Sequence, residues 1–276
     1  CIRDSHRVSK EGELVQSEEI DIPKPVMMHD WNITRNYVIF MDLPLVFDLE
    51  DAVSGSDPFG FKPECGARLG VMPRNGSNSD IKWIEINPCF VFHPMNAYEE
   101  NEKIILHVCR QNKAMVGGMD EIYGGEDTTG KIWKWTINLT SGTCSEEQID
   151  DRPCDFARVD DRLVGLKAKN GYAMALNEKA ETLTFDQYLY KFDLENNKRF
   201  DHNLGDNVFG GEPVFVPKSG SLSEDDGWVM AIVYDANIDK SKLIIVDTEN
   251  FDKKPVGEII LPQRVPFGAH GSWLSN

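Results

Sequence analysis

Met27-Met28-His29-Asp30-Trp31-Asn32-Ile33-Thr34 runs almost directly into Tyr37-Val38-Ile39-Phe40-Met41-Asp42-Leu43-Pro44-Leu45. A phrase built round a histidine is thus followed by a run of β-branched and aromatic residues, the composition of a buried strand. Two further histidines stand in comparably unusual phrases, Phe92-His93-Pro94-Met95-Asn96-Ala97-Tyr98-Glu99-Glu100 and Val265-Pro266-Phe267-Gly268-Ala269-His270-Gly271. Neutral imidazole binds borderline first-row metals such as iron, copper and zinc, most often from a His-x-x-x-His pair on one helix. No such pair exists here, and the spacings are 64 residues (93 − 29) and 177 residues (270 − 93). Imidazoles that share an ion must then come from separate structural units, as strand ends do round the axis of a β-propeller. Taken singly, each of the three is also open to the reading of a hydrogen-bonded core residue.

Working outward, the chain has the periodicity of strands. Short β-branched and aromatic runs recur between turn signals over Tyr37 to Phe40, Lys103 to Val108, Ile132 to Leu139, Gln187 to Leu194, Trp228 to Tyr234, Lys242 to Val246 and Val256 to Leu261. Trp133 to Asn138 alternates as a half-solvated strand does, whereas Val229-Met230-Ala231-Ile232-Val233 is continuously apolar, which predicts an inner strand covered on both faces. Asp235 to Ser241 reads as a hairpin loop and Arg7 to Val15 as a strand and turn already within a sheet. Blades of four strands take about 40 to 45 residues in regular repeats, but no repeated sequence word is found. Periodicity therefore yields mostly antiparallel β and no blade count.

Composition sets limits on function. The chain has 276 residues, 41% of them hydrophobic, enough for a sizeable core. Its formal net charge of −17 argues against a nucleic-acid partner, which needs a basic stripe. The six cysteines, Cys1, Cys65, Cys89, Cys109, Cys144 and Cys154, show no Cys-x-x-Cys spacing, so reduced thiols and a cytoplasmic location are expected, with a plastid or other organelle left open. Asn-x-Ser/Thr sequons at Asn32, Asn75 and Asn138 are weak signals of secretion. No apolar run is long enough to span a bilayer, and no signal-peptide pattern opens the chain.

The histidine phrases, together with Arg68-Leu69-Gly70-Val71-Met72-Pro73-Arg74, Asp155-Phe156-Ala157-Arg158-Val159-Asp160, Gly210-Gly211-Glu212-Pro213-Val214-Phe215-Val216-Pro217, Glu224-Asp225-Asp226-Gly227-Trp228 and Leu261-Pro262-x-Arg264-Val265-Pro266-Phe267-Gly268-x-His270, follow one another in a set order. This order resembles the carotenoid cleavage oxygenases, a family that includes plant carotenoid cleavage dioxygenases, the retinal pigment epithelium isomerase and bacterial lignostilbene dioxygenases. The wording of Phe40 to Leu45 is most similar to the plant-type enzymes. The resemblance implies a single domain over 1–276, a seven-bladed β-propeller with its opening blade or blades absent from this chain, and a cap of loops and helices over an axial iron. It implies Fe(II) held by His29, His93 and His270, with a fourth histidine upstream of Cys1. His6 matches the strand after the first ligand motif rather than the ligand itself, and His107 and His202, the latter read in a polar turn, have no counterpart.

The resemblance also places Glu212 and Asp155 as carboxylates behind ligand histidines. Aspartate is one methylene shorter than the glutamate many relatives carry, so Asp155 is expected to hold its histidine less securely, with room for a bridging water. Glu99 and Glu100 point to opposite faces of a strand and are read as structural. The implied reaction is cleavage of a conjugated C=C bond of a carotenoid or apocarotenoid by O2 into two carbonyl products, with no organic cofactor. The apolar substrate would lie in a tunnel near Phe92, Phe267 and Trp273, each equally open to being core packing, and peripheral membrane contact would aid its uptake. Stilbene cleavage and retinoid isomerohydrolysis share the same motifs. A zinc hydrolase using three histidines and a non-catalytic propeller that binds a partner remain open from the residues alone.

Overall fold

The computed structural model describes residues 3–114, 128–177, 185–268 and 270–274. The strand periodicity becomes a succession of antiparallel meanders. A ribbon of β1 (Arg3–Val8) and β2 (Leu14–Ile20) comes first. The first full sheet follows, with β3 (Asn32–Ile33), β4 (Tyr37–Asp42), β7 (Ala67–Pro73) and β8 (Lys82–Ile86) in that spatial order. Between β4 and β7 the chain makes an excursion through β5 (Leu45–Phe47), the six-residue helix α1 (Leu49–Ser54) and β6 (Phe59–Phe61). Asp48 caps that helix by accepting hydrogen bonds from Glu50 and Asp51, and Gly55 ends it in the left-handed conformation.

The second sheet consists of β9 (Phe90–Glu100), β10 (Lys103–Gln111), β11 (Lys131–Asn138) and the first half of β12 (Thr143–Arg158). The second half of β12 begins a third sheet with β13 (Asn170–Leu176), β14 (Phe185–Asp193) and β15 (Lys198–Asn203). In the fourth, β16 (Val208–Phe209) and β17 (Val214–Pro217) both pair with β18 (Gly227–Asp235), followed by β19 (Lys240–Asp247) and β20 (Gly257–Ile260). The hairpin expected after Asp235 is present, with Asp235 opposite Lys240.

The core lies between sheets rather than inside any one of them. Ile39, Leu69 and Ile84 of the first sheet pack with Phe90, Ile104, Leu106 and Trp135 of the second. Cys109 and Ile132 pack with Cys154, Ala173 and Tyr190 of the third, and Met174 and Leu189 of the third with Val229, Ala231 and Ile244 of the fourth. Four sheets stacked face to face, each an antiparallel meander, are the packing of propeller blades. Among the described residues no helix is long and apolar enough to cross a membrane.

Two expectations change. The run Val229 to Val233 is not covered on both faces: Val229, Ala231 and Val233 face the third sheet, whereas Ile232 on the other face is 48% exposed. A continuous apolar run cannot reveal which face lacks a neighbour, because both faces of a strand read alike when every residue is apolar. His202 is not in a turn but in β15, buried, with Nδ1 2.8 Å from the Phe251 carbonyl.

His107, in β10, is likewise buried, stacks on Tyr98 with ring centroids 6.3 Å apart, and has no hydrogen-bond partner at either ring nitrogen. Burial, aided by the charge of Lys134, lowers its pKa to about 4. Below its unfolded value near 6.5 the unfolded chain takes up a proton that the native state refuses. Stability is therefore lost as pH falls from about 6.5 towards 4, by up to about 3 kcal/mol from this residue. Urea denaturation of the parent and His107→Phe at pH 7 and 4.5 should show the pH-dependent loss shrinking by roughly 2 kcal/mol in the variant; an equal loss in both would contradict the assignment.

Candidate metal centre

The first strands of successive sheets adjoin, β3 beside β9 and β9 beside β12. His29 precedes β3, His93 lies within β9, and His270 lies in the irregular segment beyond β20. Their ligand nitrogens all fall within 4.8 Å of one another. The rings meet edge to face, with centroids 5.2 Å apart for His29 and His93 and 5.0 Å for His93 and His270. Residues 64 and 177 positions apart are thus brought to one point. Among the described residues no other histidine joins them, since His6 pairs with Asp4 at 2.9 Å and His107 and His202 are buried inside sheets.

Local irregularities do the aiming. The β9–β10 register shifts between Val108 and Arg110, opposite the Val91 to Pro94 stretch that contains His93. The β12–β13 register shifts between Asp155 and Arg158, and within that shift Phe156 takes a left-handed φ of 55°. Bulges re-aim side chains in this way. His270 also has a left-handed φ, 64°, a costly conformation for a residue with a Cβ and one found where surroundings over-determine the backbone.

Two carboxylates set the imidazole tautomers. Asp155 Oδ1 lies 2.9 Å from His93 Nδ1 and also accepts from the Phe156 N–H at 2.8 Å. Glu212 Oε1 lies 3.2 Å from His270 Nδ1, and its Oε2 accepts from the Gly271 N–H at 3.0 Å. Each carboxylate makes its histidine a donor at Nδ1 and so leaves the Nε2 lone pair free. Asp155 is therefore not the weaker holder that its shorter side chain led one to expect. Its contact is direct and the shorter of the two, and the His93 side chain is 12% exposed against 55% for His270. The contact forms where β12 departs from regular pairing with β13.

Glu212 is delivered by a tight approach. A Cβ on Gly211 would sit 2.1 Å from the Ile232 carbonyl oxygen, so only glycine lets the β16–β17 connection press against β18 there. His29 has neither carboxylate; Phe92 packs edge-on against it with centroids 5.3 Å apart.

The rings of His29 and His93 are pulled in opposite directions, His29 towards the neutral form and His93 towards a positive charge that its carboxylate stabilises. Desolvation, then the neighbouring His93, lowers the pKa of His29. Burial opposes protonation of His93, but the hydrogen bond and charge of Asp155 outweigh it and raise the pKa. His93 Nε2 is buried without a hydrogen-bond partner, an arrangement that costs about 1–3 kcal/mol unless something accepts its lone pair. A divalent ion fits that vacancy in the hydrogen-bonding scheme, and an all-imidazole donor set suits a first-row transition metal.

Two cavities border the cluster. One, about 340 Å³, is mainly apolar, with Phe185, Val214, Ile232, Leu243, Phe267 and Trp273 in its wall beside His270. The other, about 310 Å³, is more polar and touches His93, His270, Phe156, Arg158 and Asp30. Of the residues read from the sequence as tunnel candidates, Phe267 and Trp273 are in the apolar wall, whereas Phe92 is buried in the core between the first two sheets and lies in neither wall. Sequence reasoning gave no role to Phe156, whose ring stacks on His93 with centroids 4.5 Å apart and a 28° tilt. Its position directly after Asp155 was the available signal.

The family description "Retinal pigment epithelial membrane protein" matches residues 4–275. The carotenoid 9,10(9',10')-cleavage dioxygenase 1 of Phaseolus vulgaris is 32% identical over 286 aligned positions, covering 97% of this chain and 52% of that protein. The lignostilbene dioxygenase of Pseudomonas brassicacearum superposes with a TM-score of 0.89 at 26% identity, covering 98% of this chain and 60% of that one. A cobalt-substituted apocarotenoid oxygenase of Synechocystis superposes with a TM-score of 0.88 at 28% identity, covering 100% and 60%. These neighbours are seven-bladed β-propellers, the architecture to which the four stacked sheets conform. The chain spans about half the length of the curated relatives it matches.

Asp155→Ala and Glu212→Ala should each weaken metal binding by about 10- to 100-fold, the usual cost of losing a carboxylate behind a ligand histidine. The loss should be larger for Asp155, whose contact is shorter and more buried. Competition titration with a metal-sensitive dye checks the ranking, and a larger loss for Glu212→Ala would reverse it.

Proposed function

This chain belongs to the carotenoid cleavage oxygenase family, and from that membership together with its imidazole cluster we propose that it forms part of a ferrous dioxygenase that cleaves a conjugated C=C bond of a carotenoid or apocarotenoid with O2. The observation that carries the proposal is the convergence of His29, His93 and His270 within 4.8 Å, with a buried, unpartnered Nε2 on the central ring. Fe(II) held by His29, His93 and His270 would supply a redox-active Lewis acid for the reaction of O2 with an electron-rich alkene. The balance is one C=C and one O2 giving two C=O groups, with no external electron donor.

The protein's own contribution is to orient and to exclude. Asp155 and Glu212 hold two imidazoles with Nε2 towards the common point. Phe156 covers one face of His93 and limits water there. Both carboxylates are committed to histidine and backbone donors, so neither is free to act as a general base. The apolar cavity beside His270 suits a hydrocarbon substrate, whose burial contributes roughly 25 cal/mol per Å² of apolar surface. The relatives that support the reading are a carotenoid cleavage dioxygenase, an apocarotenoid oxygenase and a lignostilbene dioxygenase.

The test has two parts. His29→Ala, His93→Ala and His270→Ala should each lose bound iron as measured by elemental analysis, while the exposed control His6→Ala retains it. The iron-loaded protein, incubated in air with carotenoids, apocarotenoids and stilbenes, should yield carbonyl fragments of the first two classes. Tightly bound zinc with O2-independent turnover would reject the oxygenase reading, and cleavage of stilbenes alone would reassign its substrate.

A further inference from the structure

We propose that Arg158 is a positioning residue for the third imidazole, fixing the Glu212 carboxylate and the Gly271 peptide so that His270 is aimed at the cluster; the proposal rests on the metal-centre reading above. His270 lies in a segment without strand pairing, so no sheet ladder holds its backbone. Side-chain contacts take over that task. Glu212 accepts from the Gly271 N–H at 3.0 Å, and the Arg158 guanidinium donates to the Gly271 carbonyl on the other side of the same residue. The same Arg158 nitrogen lies 3.3 Å from Glu212 Oε1, the oxygen that faces His270 Nδ1. Carboxylate and guanidinium thus grip one residue from both of its backbone polar groups while contacting each other.

Arg158 is itself anchored. It follows the β12 bulge that aims Asp155 at His93, and its second terminal nitrogen reaches Asp161 at 3.2 Å. Its side chain is 20% exposed and that of Glu212 9%, so the pair is partly desolvated and its planar fork is well matched to two acceptors at once. One strand therefore serves two imidazoles: Asp155 orients His93, and Arg158, acting through Glu212 and Gly271, orients His270. A left-handed φ of 64° at His270 needs such external restraint, because the unrestrained backbone favours another region.

Cobalt(II) is the probe, titrated into the chain and followed by its visible absorption, with amide hydrogen exchange at Gly271 measured on the metal-free protein. Arg158→Ala should weaken cobalt binding by about 10- to 100-fold and speed Gly271 exchange while leaving the metal-free thermal midpoint in place. Arg158→Lys, which keeps the charge beside Glu212 but not the fork, should recover part of the affinity. Arg162→Ala, whose guanidinium pairs with Asp160 instead, should change neither readout. Unaltered cobalt affinity and Gly271 exchange in Arg158→Ala would overturn the proposal, as would a fall in affinity matched by a fall in thermal midpoint with no rescue by lysine. Failure of the iron-loaded protein to cleave any polyene, with the Arg158→Ala cobalt defect intact, would sink the dioxygenase reading and leave this one standing. No cobalt binding by the parent chain would overturn both.

Discussion

A ligand histidine commonly donates its other ring N–H to a fixed acceptor, and the hydrogen bonds of His93 with Asp155 and of His270 with Glu212 are the interactions on which this cluster depends. They set the tautomers, bring negative charge to the cluster, and leave the buried Nε2 of His93 with its lone pair directed inward. The carboxylates come from the third and fourth sheets, and the rings they hold belong to the second sheet and the segment beyond the fourth. No single sheet could supply the arrangement, so the packing of sheets on one another is a condition of the chemistry.

The architecture meets this demand with meanders that pack through apolar faces and with irregular backbone beside the cluster. Apolar residues fill the spaces between sheets. Two of the register shifts fall in first strands, beside His93 and between Asp155 and Arg158, and the left-handed residues Phe156 and His270 lie against the cluster. The backbone cost of these departures is offset by side-chain hydrogen bonds and by the stacking of Phe156 on His93. The two cavities beside His270 differ in character, one mainly apolar and one more polar, which separates a hydrocarbon side of the centre from a wetter one.

Much of this was legible beforehand, for identifiable reasons. Strand runs such as Tyr37 to Phe40 and Lys242 to Val246 declare themselves by β-branched and aromatic content, and they appear as β4 and β19. Histidine phrases in family order pointed to the residues that converge. Less legible was the direct contact of Asp155 with His93, because side-chain length was visible and the relative placement of β9 and β12 was not. The uncovered face of β18 was hidden for a related reason: Ile232 and Val233 look alike in sequence, and only the neighbouring sheet distinguishes them.

By itself the sequence determined the class of fold and the chemical type of the centre. Period-two patterning is a local property, and imidazole and carboxylate carry their donor character wherever the chain puts them. Only the tertiary structure decided which groups meet: that Asp155 touches His93 directly, that Phe156 lies flat against that ring, and that Arg158 and Glu212 grip Gly271 beside His270. Those contacts join residues up to 113 positions apart, and their distances follow from sheet stacking, bulges and positive φ angles summed along the chain. No local pattern encodes such a sum, so it is read from the folded molecule alone.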